Sequence, residues 1–169
     1  MPKFSRKILL IDGYNVIHRL PQLGRALDGG LASAQDRLVL EISNWRRTHA
    51  GFECLIVFDG NPPPGGGPQG GAGIRCLFSR TPGGGDAALV GYVRDYHGRK
   101  SDITVVSDDN YVRNNCRAHG AAVERSSFIL AKKPSAPVKR PPHPEGGKGL
   151  DRKAAAEINK ELKKKFGIS

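Results

Sequence analysis

The chain has 169 residues with 27 Lys and Arg against 16 Asp and Glu, a net charge of +11; that is room for one domain with a sizeable core plus an appendage, and too little for two independent domains. The apolar stretch that follows MPKFSRK is too short for a membrane span or a signal-peptide core, which predicts a cytoplasmic protein with no membrane partner. The positive balance draws polyanions, and Cys54, Cys76 and Cys116, odd in number and without a CxxC pair, read as small buried hydrophobes in a reducing compartment, not as a zinc ribbon.

In chain order, Lys7–Ile11 reads as a buried strand that ends at Asp12, where Asp-Gly interrupts regular structure. Leu31, Ala34, Leu38, Ile42 and Trp45 then recur at spacings of three and four, which predicts an amphipathic helix of about four turns. Glu53–Asp59 (ECLIVFD) is a second apolar strand closed by an aspartate and a glycine. The run NPPPGGGPQGGAG after it suits neither helix nor strand, and predicts a mobile loop. Ile74–Phe78 is a third, short strand. PGGG at 82–85 then places Asp86 in the first turn of a helix whose apolar set is Ala87, Val90, Val93 and Tyr96 or His97. Asp102–Ser107 is a fourth strand, Asp108-Asp109-Asn110 opens a helix carrying Val112, Cys116 and His119, and Ala121–Glu124 is a fifth strand. Strands apolar on both faces and alternating with helices indicate an α/β domain, its parallel sheet covered on both sides and joined by right-handed crossovers.

Residues 1–130 are thus the predicted domain. Residues 131–149 are rich in Pro, Lys and Gly and predict a flexible linker, and 150–169 predict a basic amphipathic helix with Ala154, Ile158, Leu162 and Phe166 on one stripe. The segment 131–169 carries 11 basic and 4 acidic side chains, net +7, so most of the attraction for polyanions lies there. Lys163 and Lys164 within it, and Arg80, Arg113 and Arg117 near the strand ends, are the candidate phosphate contacts.

Asp12, Asp59 and Asp108 fall just past the ends of three strands, and Asp86 starts a helix reached from a fourth. In open parallel sheets that rim is where ligands bind, and carboxylates gathered there repel one another unless a cation neutralises them. An all-oxygen set without His or Cys clusters favours Mg²⁺ or Mn²⁺, which can polarise a phosphodiester and activate water. Asn15 is close enough in sequence to orient Asp12 or a bound water; Asp109 reads as a cap or as an additional ligand. His18, His49, His97, His119 and His143 are too scattered for a ligand set and read as surface or packing residues, and Ser5, Ser79 and Ser107 have no nucleophile context.

IDGYNVI at 11–17, VFDG at 57–60, GGDA at 84–87 and VSDD at 106–109, in that order, resemble the YacP-like branch of the NYN domain family, part of the PIN-like nuclease group. The resemblance spans residues 7–130 and implies a Rossmann-like three-layer domain with a central parallel sheet. It also implies a divalent ion held by Asp12, Asp59, Asp86, Asp108 and Asp109, a catalytic set of Asp12, Asn15, Asp86 and Asp108, and endonucleolytic cleavage of RNA to 3′ hydroxyl and 5′ phosphate ends. Some relatives resemble ribosome-associated nucleases, which makes RNA or the ribosome the implied partner. The pattern departs at Gly83-Gly84-Gly85-Asp86, where members tend to carry Glu-Thr-Ala-Asp, so the site is one acidic group short. That leaves a PIN-like RNA-binding adaptor without turnover as the rival to the enzyme. An aspartyl phosphatase is disfavoured by Tyr14 where a second acid is needed, and a dinucleotide-binding module by DGYN where GxGxxG belongs.

Overall fold

The computed structural model describes residues 6–81 and 83–130, within the first of the two units into which the chain divides, Met1–Lys133. The linker expected at 131–149 and the helix expected at 150–169, with Lys163 and Lys164, lie outside the described residues.

Five strands, β1 (Lys7–Asp12), β2 (Phe52–Phe58), β3 (Ile74–Phe78), β4 (Ile103–Val106) and β5 (Ala122–Glu124), form one sheet in the order β3-β2-β1-β4-β5. Every pairing is parallel, with Ile11 of β1 opposite Ile56 of β2 and Val106 of β4. The central strand has four apolar residues in succession because both of its faces are covered. Leu9 and Ile11 point into one core with Val16, Ile17, Leu38, Ile42 and Trp45. Ile8 and Leu10 point into the other with Leu89, Val93, Val112 and Cys116. Each such aliphatic side chain, fully buried, contributes about 1.5–3 kcal/mol of transfer free energy. Among the described residues five α-helices complete the layers: α1 (Gly13–Arg19), α2 (Pro21–Ala26), α3 (Leu31–Arg47), α4 (Gly85–Asp95) and α5 (Asn110–Ala118).

Two local readings need correction. The Asp-Gly at 12–13 is not a break: α1 starts at Gly13 directly from β1, because a Cβ there would lie 2.6 Å from the Phe58 ring and 2.9 Å from the Val57 carbonyl oxygen. Without that side chain the chain turns into helix at once. In α4 the buried face is Gly85, Leu89 and Val93, one helical row apart, while Ala87 is exposed and Val90 half-buried. Of the apolar set expected there, Val93 is buried and Val90 and Tyr96 pack partly buried against the same core, whereas Ala87 is exposed and Leu89 takes the central place. Helix α3 buries Ala34, Leu38, Ile42 and Trp45 as expected, although Leu31 is exposed.

The segment 61–73 contains no helix or strand, yet its end is tethered: Arg46 donates through Nε to the Phe52 carbonyl at 2.9 Å and through Nη1 to the Ala72 carbonyl at 2.6 Å. All three cysteines are free thiols; Cys54 and Cys116 are buried and Cys76 half-buried, and burial pushes each up to about 11. Among the described residues no helix is long and apolar enough to cross a membrane.

Candidate active site

The strand order reverses between β1 and β4, so the loops leaving their carboxyl ends diverge and open a crevice. Two polar side chains hold the loops in register across that gap. Ser107, fully buried just after β4, donates from Oγ to Asp12 Oδ2 at 2.9 Å and accepts from the Asp109 N–H at 3.1 Å. Asn15, in the first turn of α1, accepts the Asp108 N–H at 2.8 Å through Oδ1. The residues after β4 are thereby fixed against the turn after β1, although they lie more than ninety positions away in sequence.

A cavity of about 260 Å³ sits at this point. It is lined by Asp12, Asp59, Asp86 and Asp109, with Tyr14, Asn15 and His18 contributed by α1. Asp12 has its carboxyl raised to about 6, by burial first, against the lowering effect of Ser107, and then by Asp86 and Asp109. Asp86 is raised in the same direction by desolvation, then by Asp109 and Asp59. Tyr14 leans on Phe58 at 5.1 Å between ring centroids, and its hydroxyl accepts from Gln35 Nε2 at 2.8 Å.

Not every aspartate at the rim is turned to this cavity. Asp59 lines it but is clamped on the loop before α4, accepting from Ser79 Oγ at 3.1 Å, the Gly85 N–H at 3.2 Å and the Gly83 N–H at 3.1 Å. It fills the cluster of amides that the helix start leaves without partners, and so sets where Asp86 stands. Asp108, expected as both metal ligand and catalytic residue, does not line the cavity: its carboxylate is taken by the N–H and hydroxyl of Ser126 after β5, with Arg125 at 3.7 Å. Its neighbour Asp109 takes the place at the cavity while capping α5 through the Val112 N–H at 3.1 Å. Among the described residues no three His, Cys, Asp or Glu side chains converge in a ready-made ligand set, and Asp59, Asp108 and Asp109 each accept from a backbone amide.

Arg80 is exposed in the left-handed conformation at φ 61°, with its N–H donating to the Gly60 carbonyl at 2.8 Å. Arg113 is half-buried with its Nε unpartnered among the described residues, and Arg117 is exposed. Among the described residues no arginine or lysine lines the cavity. From sequence alone, Ser107 and Ser79 are weighed only as nucleophiles and His18 reads as a surface or packing residue. The available signal is that Ser107 adjoins Asp108 and that His18 lies three positions after Asn15, whereas Ser79 stands near no aspartate in sequence.

A family model described as the YacP-like NYN domain matches residues 9–141. The fold is similar to a crystal structure of Rae1 (YacP) from Bacillus subtilis, a tryptophan-to-leucine mutant, at 21% identity and a TM-score of 0.60, covering 73% of this chain and 72% of that one. It is likewise similar to a second structure of Rae1 (YacP) from Bacillus subtilis at 18% identity and a TM-score of 0.55, covering 94% of this chain and 79% of that one. No curated protein matches the chain significantly.

Proposed function

The chain belongs to the YacP-like NYN domain family, a PIN-like nuclease group, and from that premise we propose that it is an endoribonuclease that hydrolyses RNA with the help of a Mg²⁺ or Mn²⁺ ion. The observation that carries this reading is the set of carboxylates at the strand-order reversal. Asp12 at the end of β1, Asp86 in the first turn of α4 and Asp109 at the start of α5 come to one cavity, and Asp12 and Asp86 are pushed up in pKa by burial first and then by neighbouring carboxylates. No ion pair to a described residue relieves them. A site that gathers like charges in this way is suited to a hard cation, and oxygen donors around a cavity wide enough for a partly hydrated ion fit Mg²⁺ or Mn²⁺ better than a softer metal.

Asp12, Asp86 and Asp109 would hold the ion, with Asp59 setting the position of Asp86 and Asn15 that of the loop after β4. When bound, such an ion polarises the phosphodiester and favours ionisation of the attacking water. The protein's own residues supply the positioning: Ser107 fixes the Asp12 carboxylate, and Asp108, tied to Ser126, anchors the loop that presents Asp109. We assign Arg80, Arg113 and Arg117 to backbone phosphates and not to base edges. The basic segment 131–169 is assigned to capture of RNA or of a ribosomal surface, without a part in the chemistry.

The test is incubation of the purified full chain with single-stranded RNA and Mn²⁺ or Mg²⁺, with and without chelator. Fragments bearing 5′ phosphates that vanish with chelator are expected. A second reading, an RNA-binding adaptor, is favoured by one observation: glycines stand at 83–85, and the remaining carboxylates do not form a ready-made ligand set. RNA binding without any chelator-sensitive cleavage would establish the adaptor and remove the enzyme.

A further inference from the structure

The cavity that gathers the aspartates must also admit a phosphodiester, itself an anion, and its walls contain few groups able to hold one. The Gly83 and Gly85 amides are spent on Asp59, while the Tyr14 hydroxyl, which accepts from Gln35, keeps its own proton to donate, and neither it nor the Asn15 amide carries positive charge. Among the described residues no lysine or arginine lines the cavity. One lining side chain among them can present an N–H donor and also carry positive charge: His18.

His18 stands three residues after Asn15, so the two share one face of α1, and both line the cavity. Its ring is exposed and makes no hydrogen bond or ion pair with any described residue. A packing role would bury it and a capping role would engage a carbonyl, and it does neither. Four carboxylates in the lining, even with a doubly charged ion bound, leave phosphate oxygens that the ion does not contact without a donor. A donor for them is what a transition state gaining charge on those oxygens requires.

The geometry points to His18 as the residue that grips the scissile phosphate, its imidazole N–H donating to a non-bridging oxygen. This rests on the nuclease reading above. The role needs only an N–H, which the imidazole offers in either protonation state, so Gln in its place retains part of it and Ala none.

The experiment is single-turnover cleavage of one RNA oligonucleotide in Mn²⁺ by the full chain, by His18→Ala and by His18→Gln. Each is measured on the normal linkage and on the two phosphorothioate diastereomers at the cleaved position. His18→Ala is expected to slow the normal linkage at least tenfold with an unchanged melting temperature, and His18→Gln to recover several-fold of that loss. The rate penalty of one diastereomer, whose sulfur replaces the gripped oxygen, should shrink in His18→Ala, as a coupled pair demands. If His18→Ala cleaves at the wild-type rate, or is slower with both diastereomers penalised as in the wild type, the grip is overturned while the nuclease reading stands. If the wild type cleaves nothing, the nuclease reading falls and the grip falls with it.

Discussion

At the amino ends of β1, β2 and β3, Glu53 lies between Arg75 at 3.3 Å and Arg6 at 4.0 Å, Lys7 sits over the Phe52 ring, and Arg46 is bound to two carbonyls beside a cavity of about 960 Å³. At the carboxyl ends the smaller cavity collects Asp12, Asp59, Asp86 and Asp109 and, among the described residues, not one lysine or arginine. The larger opening is lined by Arg6, Lys7, Arg46 and Arg75 against the single carboxylate of Glu53, and the smaller by four carboxylates. The two ends of the strands therefore carry opposite charge: the amino end is suited to anions, and the carboxyl end, on the reading proposed above, to a cation.

The sharpest way to break this contrast is Asp12→Asn. If the carboxyl end is the site, cleavage should fall by roughly a thousandfold or more, about 4 kcal/mol of transition-state stabilisation, while circular dichroism and the melting transition show the fold kept. Asp59→Ala comes next. It strips the acceptor from Ser79, Gly83 and Gly85, and should cost about 1–3 kcal/mol in urea unfolding together with a roughly 10–100-fold loss of rate, the range seen when a supporting shell is removed. Loss of stability with full activity would show the clamp to be irrelevant to Asp86.

A pH series measures the same imbalance from the other side. Asp12 is raised from 3.8 to about 6 in the folded chain, so the folded state holds its proton to higher pH than the unfolded state does. Stability without metal should then be greatest below about pH 4, fall as pH rises toward 6 and level off above that. A shift of that size corresponds to about 1–3 kcal/mol. Asp12→Asn should recover it at pH 7.5 and recover nothing at pH 4, and melting curves at the two pH values decide the matter. The smallest effect belongs to the amino end: Glu53→Gln touches only partly exposed ion pairs, should change stability by less than about 1 kcal/mol, and should leave cleavage as it was.

The strands were legible because a two-sided parallel sheet leaves unbroken apolar runs, and ILLI, CLIVF and ITVV have no other economical place to go. Helix α1 was not legible, since Asp-Gly is ordinarily a turn and only the Phe58 ring, 45 positions on, explains why glycine here permits a helix. The rim of aspartates could be read from their places after strands. Which of two adjacent residues faces the cavity could not: Asp108 and Asp109 are equivalent in sequence, and the choice is made by Ser126 on one side and the Val112 amide on the other. His18 was hidden for a related reason. A lone histidine says nothing until the carboxylates around it are located.

The hydrogen bond from Ser107 to Asp12 spans 95 positions, and the strand that carries Asp12 is the middle of the sheet, flanked by the second strand and the fourth. A chain growing from its amino terminus therefore makes the partners of β1 on one side early and on the other only after some hundred residues. Contacts of such separation are slow to close and come late in folding. A nascent or truncated chain ending before Ile103 holds Asp12, Asp59 and Asp86 but lacks β4, Ser107 and Asp109, and a fragment cut there is expected to give no cooperative melt and no cleavage. The proposed site is thus timed by topology: it comes into being only when synthesis of the domain is nearly done, so that half-made copies carry the acids without the arrangement that brings them together.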